Sequence, residues 1–385
     1  MDIFVKMIER ELIQAIKSVL PDKKAVIVLG PRQSGKSTLL EQLSPHLKAP
    51  VLWMNGDESD VRALFSNPTS AQIKSLIGTH RTLVIDEAQR IENIGICIKL
   101  IVDQLKGVKV IATGSSAFEL ANQINEPLTG RKWEFRLMPL SFGEMVSHTS
   151  LLDEKRQLQS RLVYGYYPEI VTESSHSEKR LKELADSYLY KDILTWERIQ
   201  KPDKLEKLTQ ALSFQVAQVI SNHELGQLCG LNAETVEKYI QLLEKAFVVY
   251  RLYAYSRNPR NELKKSCKIY FCDNGIRNAV INQFNPVSLR ADAGQLWENW
   301  FISERLKYLR NRQQTASSFF WRTLAKQEVD YVEEGNGKLL AIECKWGNAG
   351  RGKVSRAFSD RYPHAACHVA TPDTAEQFLL DQEDK

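Results

Sequence analysis

Residues 25–40 read AVIVLGPRQSGKSTLL. Four β-favouring residues, 26–29, run into Gly30, and GPRQSGKS satisfies the pattern G-x-x-x-x-G-K-[ST]. The pattern predicts a strand, a phosphate-cradling loop and the start of a helix. Gly30 and Gly35 let the backbone turn its amides inward around a polyphosphate with no Cβ in the way. Pro31, Arg32, Gln33 and Ser34 complete the loop, and Lys36 can reach the β- and γ-phosphates as a point charge. Ser37 can offer its hydroxyl to Mg²⁺, Thr38 follows it, and the helix opening at Ser37 points its positive end at the anion. The plain alternative is a glycine-rich turn before an ordinary helix, and the hydrophobic strand directly upstream argues against it. ATP with Mg²⁺ is the expected ligand.

A chain of 385 residues is too long for one average domain, so two or three are expected. Hydrophobic content of 43% and charged content of 26% are ordinary for a globular protein with real cores. A net charge of +5 is compatible with a nucleic-acid partner without requiring one. Cys97, Cys229, Cys267, Cys272, Cys344 and Cys367 form no C-x-x-C pair, and they read as reduced, mostly buried thiols. The first 20 residues carry Asp2, Lys6, Glu9, Arg10 and Glu11 and read as an amphipathic helix rather than a signal peptide. No run is long and apolar enough to span a bilayer, so a cytoplasmic location without membrane contact is expected.

RTLVIDEAQR (81–90) is an apolar strand ending in two adjacent acids. Downstream of the phosphate loop, this Walker B pattern delivers Asp86 to hold Mg²⁺ through water and Glu87 as the group that polarises the attacking water. The spacing leaves room for one intervening strand at 51–54, as in the additional-strand P-loop ATPases, where the next strand presents a polar residue to the γ-phosphate. KVIATGSS (109–116) is that next strand, with Thr113 or Ser115 as the candidate sensor. The same hydroxyls suit capping of the following helix equally well. Arg131 precedes a last strand at 133–137. It is either a finger acting on a neighbouring subunit's nucleotide, which implies a homo-oligomer, or a surface arginine.

The segments GPRQSGKST, LVIDEAQR, ATGSSAF and LTGR…MPLSFGEM, in this order, resemble the prokaryotic AAA+-type P-loop ATPases that carry a C-terminal region of uncharacterised role. The resemblance continues through GYYPEIV (165–171), LKELADSYLYKDIL (181–194) and KIYFCDNGIRNAV (268–280), and so covers most of the chain.

Residues 151–220 have helical periodicity throughout and resemble the lid and connector that follow a P-loop core. Asp192 and Trp196 there read as capping and packing residues. Residues 221–255 read as a winged helix-turn-helix, used for DNA or for protein packing, with a helix ending at Cys229, a turn at Gly230, a second helix from Asn232 or Ala233 and an alternating wing. That second helix presents Asn232, Glu234, Thr235, Glu237 and Lys238, and its acids suit a DNA groove poorly. The wing cations Arg251, Arg257, Arg260, Lys264 and Lys265 suit a phosphate backbone better, as does a basic helix with Arg351, Lys353, Arg356 and Arg361.

The last third predicts helix, three strands, helix and strand, beginning with a helix that carries Glu298 and Glu304. Asp330 on one strand, and Glu343 and Lys345 on its hairpin partner, read as D…E-x-K. Alternation places Glu343 and Lys345 on one face, where Asp330 can converge across the hairpin. Two carboxylates could hold a divalent metal while the lysine steadies the attacked phosphate. This resembles the PD-(D/E)XK nuclease core, with Val329 in place of the proline.

The expected fold class is α/β: an additional-strand P-loop ATPase core (1–150), a helical lid (151–220), a winged-helix module (221–290) and a nuclease-like α/β domain (291–385). The expected function is Mg²⁺-dependent ATP hydrolysis that repositions the C-terminal modules on DNA. The alternative is an ATP-switched protein-assembly factor whose nuclease-like domain cuts nothing.

Overall fold

The computed structural model describes residues 7–115, 124, 127–187, 201–256, 266–347 and 353–381. Its contacts divide the chain into two units, Met1–Pro139 with Lys245–Phe247, and Leu140–Glu244 with Val248–Lys385.

The first unit is built on a parallel sheet of β1 (Ala25–Leu29), β2 (Val51–Asn55), β3 (Thr82–Asp86), β4 (Lys109–Gly114) and β5 (Lys132–Arg136). Their order is β2-β3-β4-β1-β5. Helix α1 (Leu12–Val19) precedes β1, and α2 (Lys36–Leu43), α3 (Ser59–Phe65), α4 (Ser70–Ile77) and α5 (Ile94–Gln104) lie between the strands in the chain. Every residue of β1 and β4 is buried, which is why β1 reads as an unbroken apolar run and β4 carries one at Val110–Ala112. The strand that intervenes in sequence, β2, goes to the sheet edge; β4 is the one inserted between β1 and β3. The register pairs Leu29 with Gly114 and Ile85 with Ala112, so the carboxyl ends of β1, β3 and β4 finish level.

The leading helix is shorter than expected. It begins at Leu12, because Arg10 is buried and its guanidinium donates to Ser34 O (2.6 Å) and Met138 O (2.7 Å). Gln42 of α2 completes the clasp, accepting from Arg10 N and donating to Ile8 O. The chain before α1 therefore spends its polar groups on the phosphate loop instead of on helical turns.

The second unit opens with helices α6 (Phe142–His148), α7 (Leu151–Tyr164), α8 (Pro168–Thr172), α9 (Ser177–Ala185) and α10 (Pro202–Phe214). Asp192 and Trp196 lie outside the described residues. Helices α11 (Asn222–Cys229) and α12 (Ala233–Lys245) are separated by Gly230 at φ +66°, where a left-handed turn ends α11. Then come β6 (Val249–Ala254), β7 (Cys267–Phe271), α13 (Asn274–Val280), α14 (Ala293–Asn311), β8 (Ser317–Arg322), β9 (Glu328–Gly335), β10 (Lys338–Cys344), α15 (Arg356–Arg361), β11 (Ala366–Ala370) and α16 (Glu376–Leu379). The expected order of helix, three strands, helix and strand is present from α14 to β11.

The partition differs from the four expected segments. Strands β6 to β11 form one six-stranded sheet in the order β11-β10-β9-β8-β6-β7. The pairs Tyr253–Phe319 and Ala254–Phe320 join β6 to β8, and Tyr255 packs in a cluster with Trp321, Val329, Phe358 and Tyr362. The expected wing is thus an inner strand of the C-terminal sheet, which has strands on both sides of residue 290. Residues 140–150, expected in the ATPase core, belong to the second unit: Phe142 N donates to Glu304 and Lys307 donates to Leu140 O.

Candidate functional site

The phosphate loop joins β1 to α2. Gly35 sits at φ +88° and starts the helix, and Gln33 also has a positive φ, +57°. Gly30 is needed for closeness, since a Cβ there would lie 2.2 Å from Leu137 O. The Lys36 amine donates to Gly30 O (3.2 Å) and Pro31 O (2.9 Å), inside the curl of the loop. Ser34 closes the turn by donating to Pro31 O at 2.8 Å. Pro31 is buried, Arg32 and Thr38 are half-buried, and Ser37 is exposed at the start of α2.

Strands β3 and β4 bring three more expected residues to this place. Ser37 Oγ donates to Asp86 Oδ2 at 2.7 Å, and the Thr113 hydroxyl donates to Asp86 Oδ1. The donor set, a hydroxyl and a carboxylate at the mouth of the phosphate loop, is the hard-oxygen chemistry that suits Mg²⁺, with Ser37 as ligand and Asp86 acting through water. Glu87 follows in a left-handed conformation (φ +50°), its amide donating to Asp86 Oδ1 and Thr113 Oγ1 at 3.1 and 3.2 Å. Its carboxylate accepts from Gln89 Nε2, which also donates to Ser115 Oγ at 2.8 Å. Thr113 therefore meets the metal-side acid and Ser115 meets the acid's neighbour through Gln89. The helix that either hydroxyl could cap lies outside the described residues.

Arg131 is not part of this group. Its carbonyl accepts from Ala25 N, at the first residue of β1, whereas the phosphate loop follows the last. Five residues of strand, about 16 Å, separate those levels. Its guanidinium is paired with Asp103 at 2.7 Å, with both side chains 38% exposed.

In the second unit, Tyr331 pairs with Ile342, so Asp330 and Glu343 stand opposite each other on one face of β9 and β10. Lys345 donates to Glu343 Oε1 at 2.7 Å, and Cys344 N donates to Asp330 Oδ2 at 2.8 Å. Glu298 arrives from α14, as expected. What the D…E-x-K spacing did not contain is Lys268 of β7. This amine, 2% exposed, lies 3.0 Å from Glu298, 2.5 Å from Glu328 and 3.8 Å from Asp330. Burial works against its charge, yet the carboxylates of Glu298, Asp330 and Glu328 hold its pKa above the ordinary lysine range. Burial, and then Asp330's charge, push Glu298 up to about 7, against the pull of Lys268 and Tyr270. Burial also raises Asp330 and Glu343, the latter helped by Asp330.

Among the described residues no group of three or more acidic, histidine or cysteine side chains is arranged to hold a metal ion. The two expected ligands Asp330 and Glu343 share one face, and the cation recorded beside Asp330 is the Lys268 ammonium at 3.8 Å. The wing is corrected. Arg251 is bound by Glu237 (2.5 Å) and Glu244 (2.6 Å) of α12 and is 12% exposed, so it braces helix to strand. The acids that suited a DNA groove poorly are its partners. Arg257, Arg260, Lys264, Lys265 and Arg351 lie outside the described residues.

Residues 22–146 match an AAA domain. The first unit is a P-loop ATPase domain. Residues 155–287 and 293–383 match two domains of unknown function, DUF8612 and DUF4143. An uncharacterized protein of Haemophilus influenzae is 27% identical over 286 residues, covering 67% of this chain and 69% of its own length. An uncharacterized protein of Mycobacterium tuberculosis is 23% identical over 340 residues, covering 87% of this chain and 73% of its own. Among solved structures, the Walker-type ATPase of Pyrococcus abyssi matches with a TM-score of 0.48 and 15% identity, over 71% of this chain and 96% of that one. No helix among the described residues is long and apolar enough to cross a membrane.

Three functional contacts escaped sequence reasoning: Arg10 on the loop, Gln89 on Glu87, and Lys268 among the acids. Gln89 stood within the quoted DEAQR run and was the most accessible of the three; the others depend on long-range packing.

Proposed function

We propose that the chain is a Mg²⁺-dependent ATPase whose cycle acts on DNA through the rest of the molecule. The observation that carries this is the Ser37–Asp86 contact of 2.7 Å at the mouth of the phosphate loop. Lys36 meets the β- and γ-phosphates, and Ser37, with Asp86 through water, would hold a Mg²⁺ that would neutralise charge on the transferred group. Thr113 fixes which oxygen of Asp86 faces Ser37. Glu87 takes a proton from the attacking water, with Gln89 and Ser115 setting the direction of its carboxylate. Arg131, too far along β1 to serve its own loop, acts on the nucleotide of a second copy in a cytoplasmic homo-oligomer.

Lys268 favours a second reading for the C-terminal unit. A nuclease-like site whose acids are already neutralised by an internal ammonium binds and does not cut, which moves weight towards nucleotide-switched assembly.

The test measures ATP turnover of the full chain with and without DNA, for wild type and Glu87→Gln. We expect DNA-stimulated turnover in the wild type and retained ATP binding with stalled hydrolysis in the variant. Wild-type turnover in Glu87→Gln removes Glu87 as the base. Turnover indifferent to DNA, with ATP-dependent oligomerisation, selects the assembly reading. Mixing Arg131→Ala with Glu87→Gln subunits should restore some activity; no recovery at any ratio in an oligomeric protein counts against the finger.

A further inference from the structure

Five basic side chains gather where strands of the first unit begin, at the end of the sheet opposite the phosphate loop. Lys23 stands just before β1, Lys48 just before β2, Lys74 on α4 and Arg81 just before β3, and Lys106 just before β4. All five are exposed, and among the described residues none is in an ion pair. Lys23, Lys48 and Lys106 border a cavity of about 580 Å³. Lys106 also borders a second, of about 680 Å³, together with Lys74 and Arg81.

The acids on this rim are already engaged. Asp22 accepts from Trp133 Nε1 (3.1 Å) and Lys24 N (3.0 Å), and Asp103 accepts from Arg131. The rim is also well anchored. Buried Lys109 donates its amine to Val19 O, Asp22 O and Lys24 O at 3.0, 2.8 and 2.7 Å, which fixes the turn carrying Lys23.

From β1 across β4 and β3 to β2 is three strand spacings, about 14 Å, the axial length of about four base pairs. Lys23, Lys106, Arg81 and Lys48 precede β1, β4, β3 and β2, neighbours in that order in the sheet, with Lys74 on α4 beside Arg81, and this spread over four strand starts suits a polymer with repeated phosphates. We propose that this rim is a face for the phosphate backbone of DNA, contacted without reading of bases. The proposal rests on the DNA-coupled reading above and moves the contact from the wing, where Arg251 is bound by Glu237 and Glu244, to the ATPase unit itself.

The experiment is fluorescence anisotropy of the full chain with a labelled duplex of about 20 base pairs, titrated with salt from about 50 mM. It compares wild type with Lys23→Gln/Lys48→Gln/Lys106→Gln and with Lys353→Gln/Arg356→Gln/Arg361→Gln. The rim variant should bind more than about tenfold more weakly, and its slope of log K against log salt should shrink by about 2.7, three phosphate contacts at about 0.9 each. The helix variant should change less than about twofold, and ATP turnover without DNA should stay at the wild-type rate in both. Wild-type affinity in the rim variant, with loss in the helix variant, overturns the proposal and leaves the DNA-coupled reading standing. No wild-type binding to duplex or single-stranded DNA at low salt brings down both. Loss of binding to phosphatidylserine vesicles but not to DNA would assign the rim to a lipid surface and overturn the proposal.

Discussion

Asp86 and Asp330 each keep one carboxylate oxygen on a donor from their own unit, Thr113 in one case and the Cys344 amide in the other. They differ in the positive charge that faces them. At Asp86 the partner on the second oxygen is a neutral hydroxyl, Ser37, at an exposed position, and the Lys36 amine is turned onto the loop's carbonyls. A cation has to arrive with the nucleotide. At Asp330 the ammonium of Lys268 is already present, buried and shared with Glu298 and Glu328. Acidic residues on a strand thus sit in two different settings, one beside an exposed hydroxyl and one beside a buried ammonium. The location of the nearest lysine amine distinguishes them.

The two largest effects are expected one at each site. Lys36→Ala should weaken ATP binding at least about a hundredfold, the loss of charge-assisted contacts worth about 3 kcal/mol. Calorimetric titration checks it, and unchanged affinity would mean that the cation for the phosphates comes from elsewhere. The complementary change is Lys268→Met, which leaves buried carboxylates without their cation and should cost about 3–5 kcal/mol. Urea unfolding of the variant measures this; a shift under about 1 kcal/mol would show that the acids are neutral and the lysine dispensable.

The next prediction concerns pH. The folded pKa of Glu298 is raised from its ordinary 4.5 to about 7 in the presence of Lys268, Tyr270, Glu328 and Asp330. A raised carboxyl contributes stability that is full below pH 4.5 and lost as pH rises through about 7. Wild-type unfolding midpoints should therefore fall between about pH 5 and 8, and Glu298→Gln should flatten that fall. Equal slopes for both proteins would place the titration on another group. The smallest effect is expected at Gln89→Ala, with kcat for ATP lowered about fivefold and KM unchanged as Glu87 loses its guide. A rise in kcat instead would identify the Gln89 contact as one that holds Glu87 back.

What could be read in the chain beforehand follows from how local each feature is. The phosphate loop, Asp86, Glu87 and Thr113 lie at strand ends whose apolar runs and glycines are contiguous in sequence, so their meeting needs only the rule that a parallel sheet aligns its carboxyl ends. The same-face placement of Asp330, Glu343 and Lys345 follows from alternation across one hairpin. Lys268 and Glu298, by contrast, are brought to Asp330 from 62 and 32 residues away by the order of six strands, and no spacing encodes that. Arg10 was obscured by a helical pattern continuous with α1. Its burial on Ser34 O and Met138 O is decided by packing, which outweighed the periodicity.

The pairing of β6 with β8 reaches beyond architecture. The family matches end at 287 and resume at 293, which invites cutting the gene there. A fragment starting at 293 would present β8 with an unpaired edge where Tyr253 and Ala254 had been, and its core would lack Tyr255. Bare hydrophobic strand edges are templates for intermolecular pairing, so such a fragment should collect in inclusion bodies. Inheritance faces the same constraint: residues 249–254 and the C-terminal strands share one sheet and can be exchanged between proteins only as a single piece.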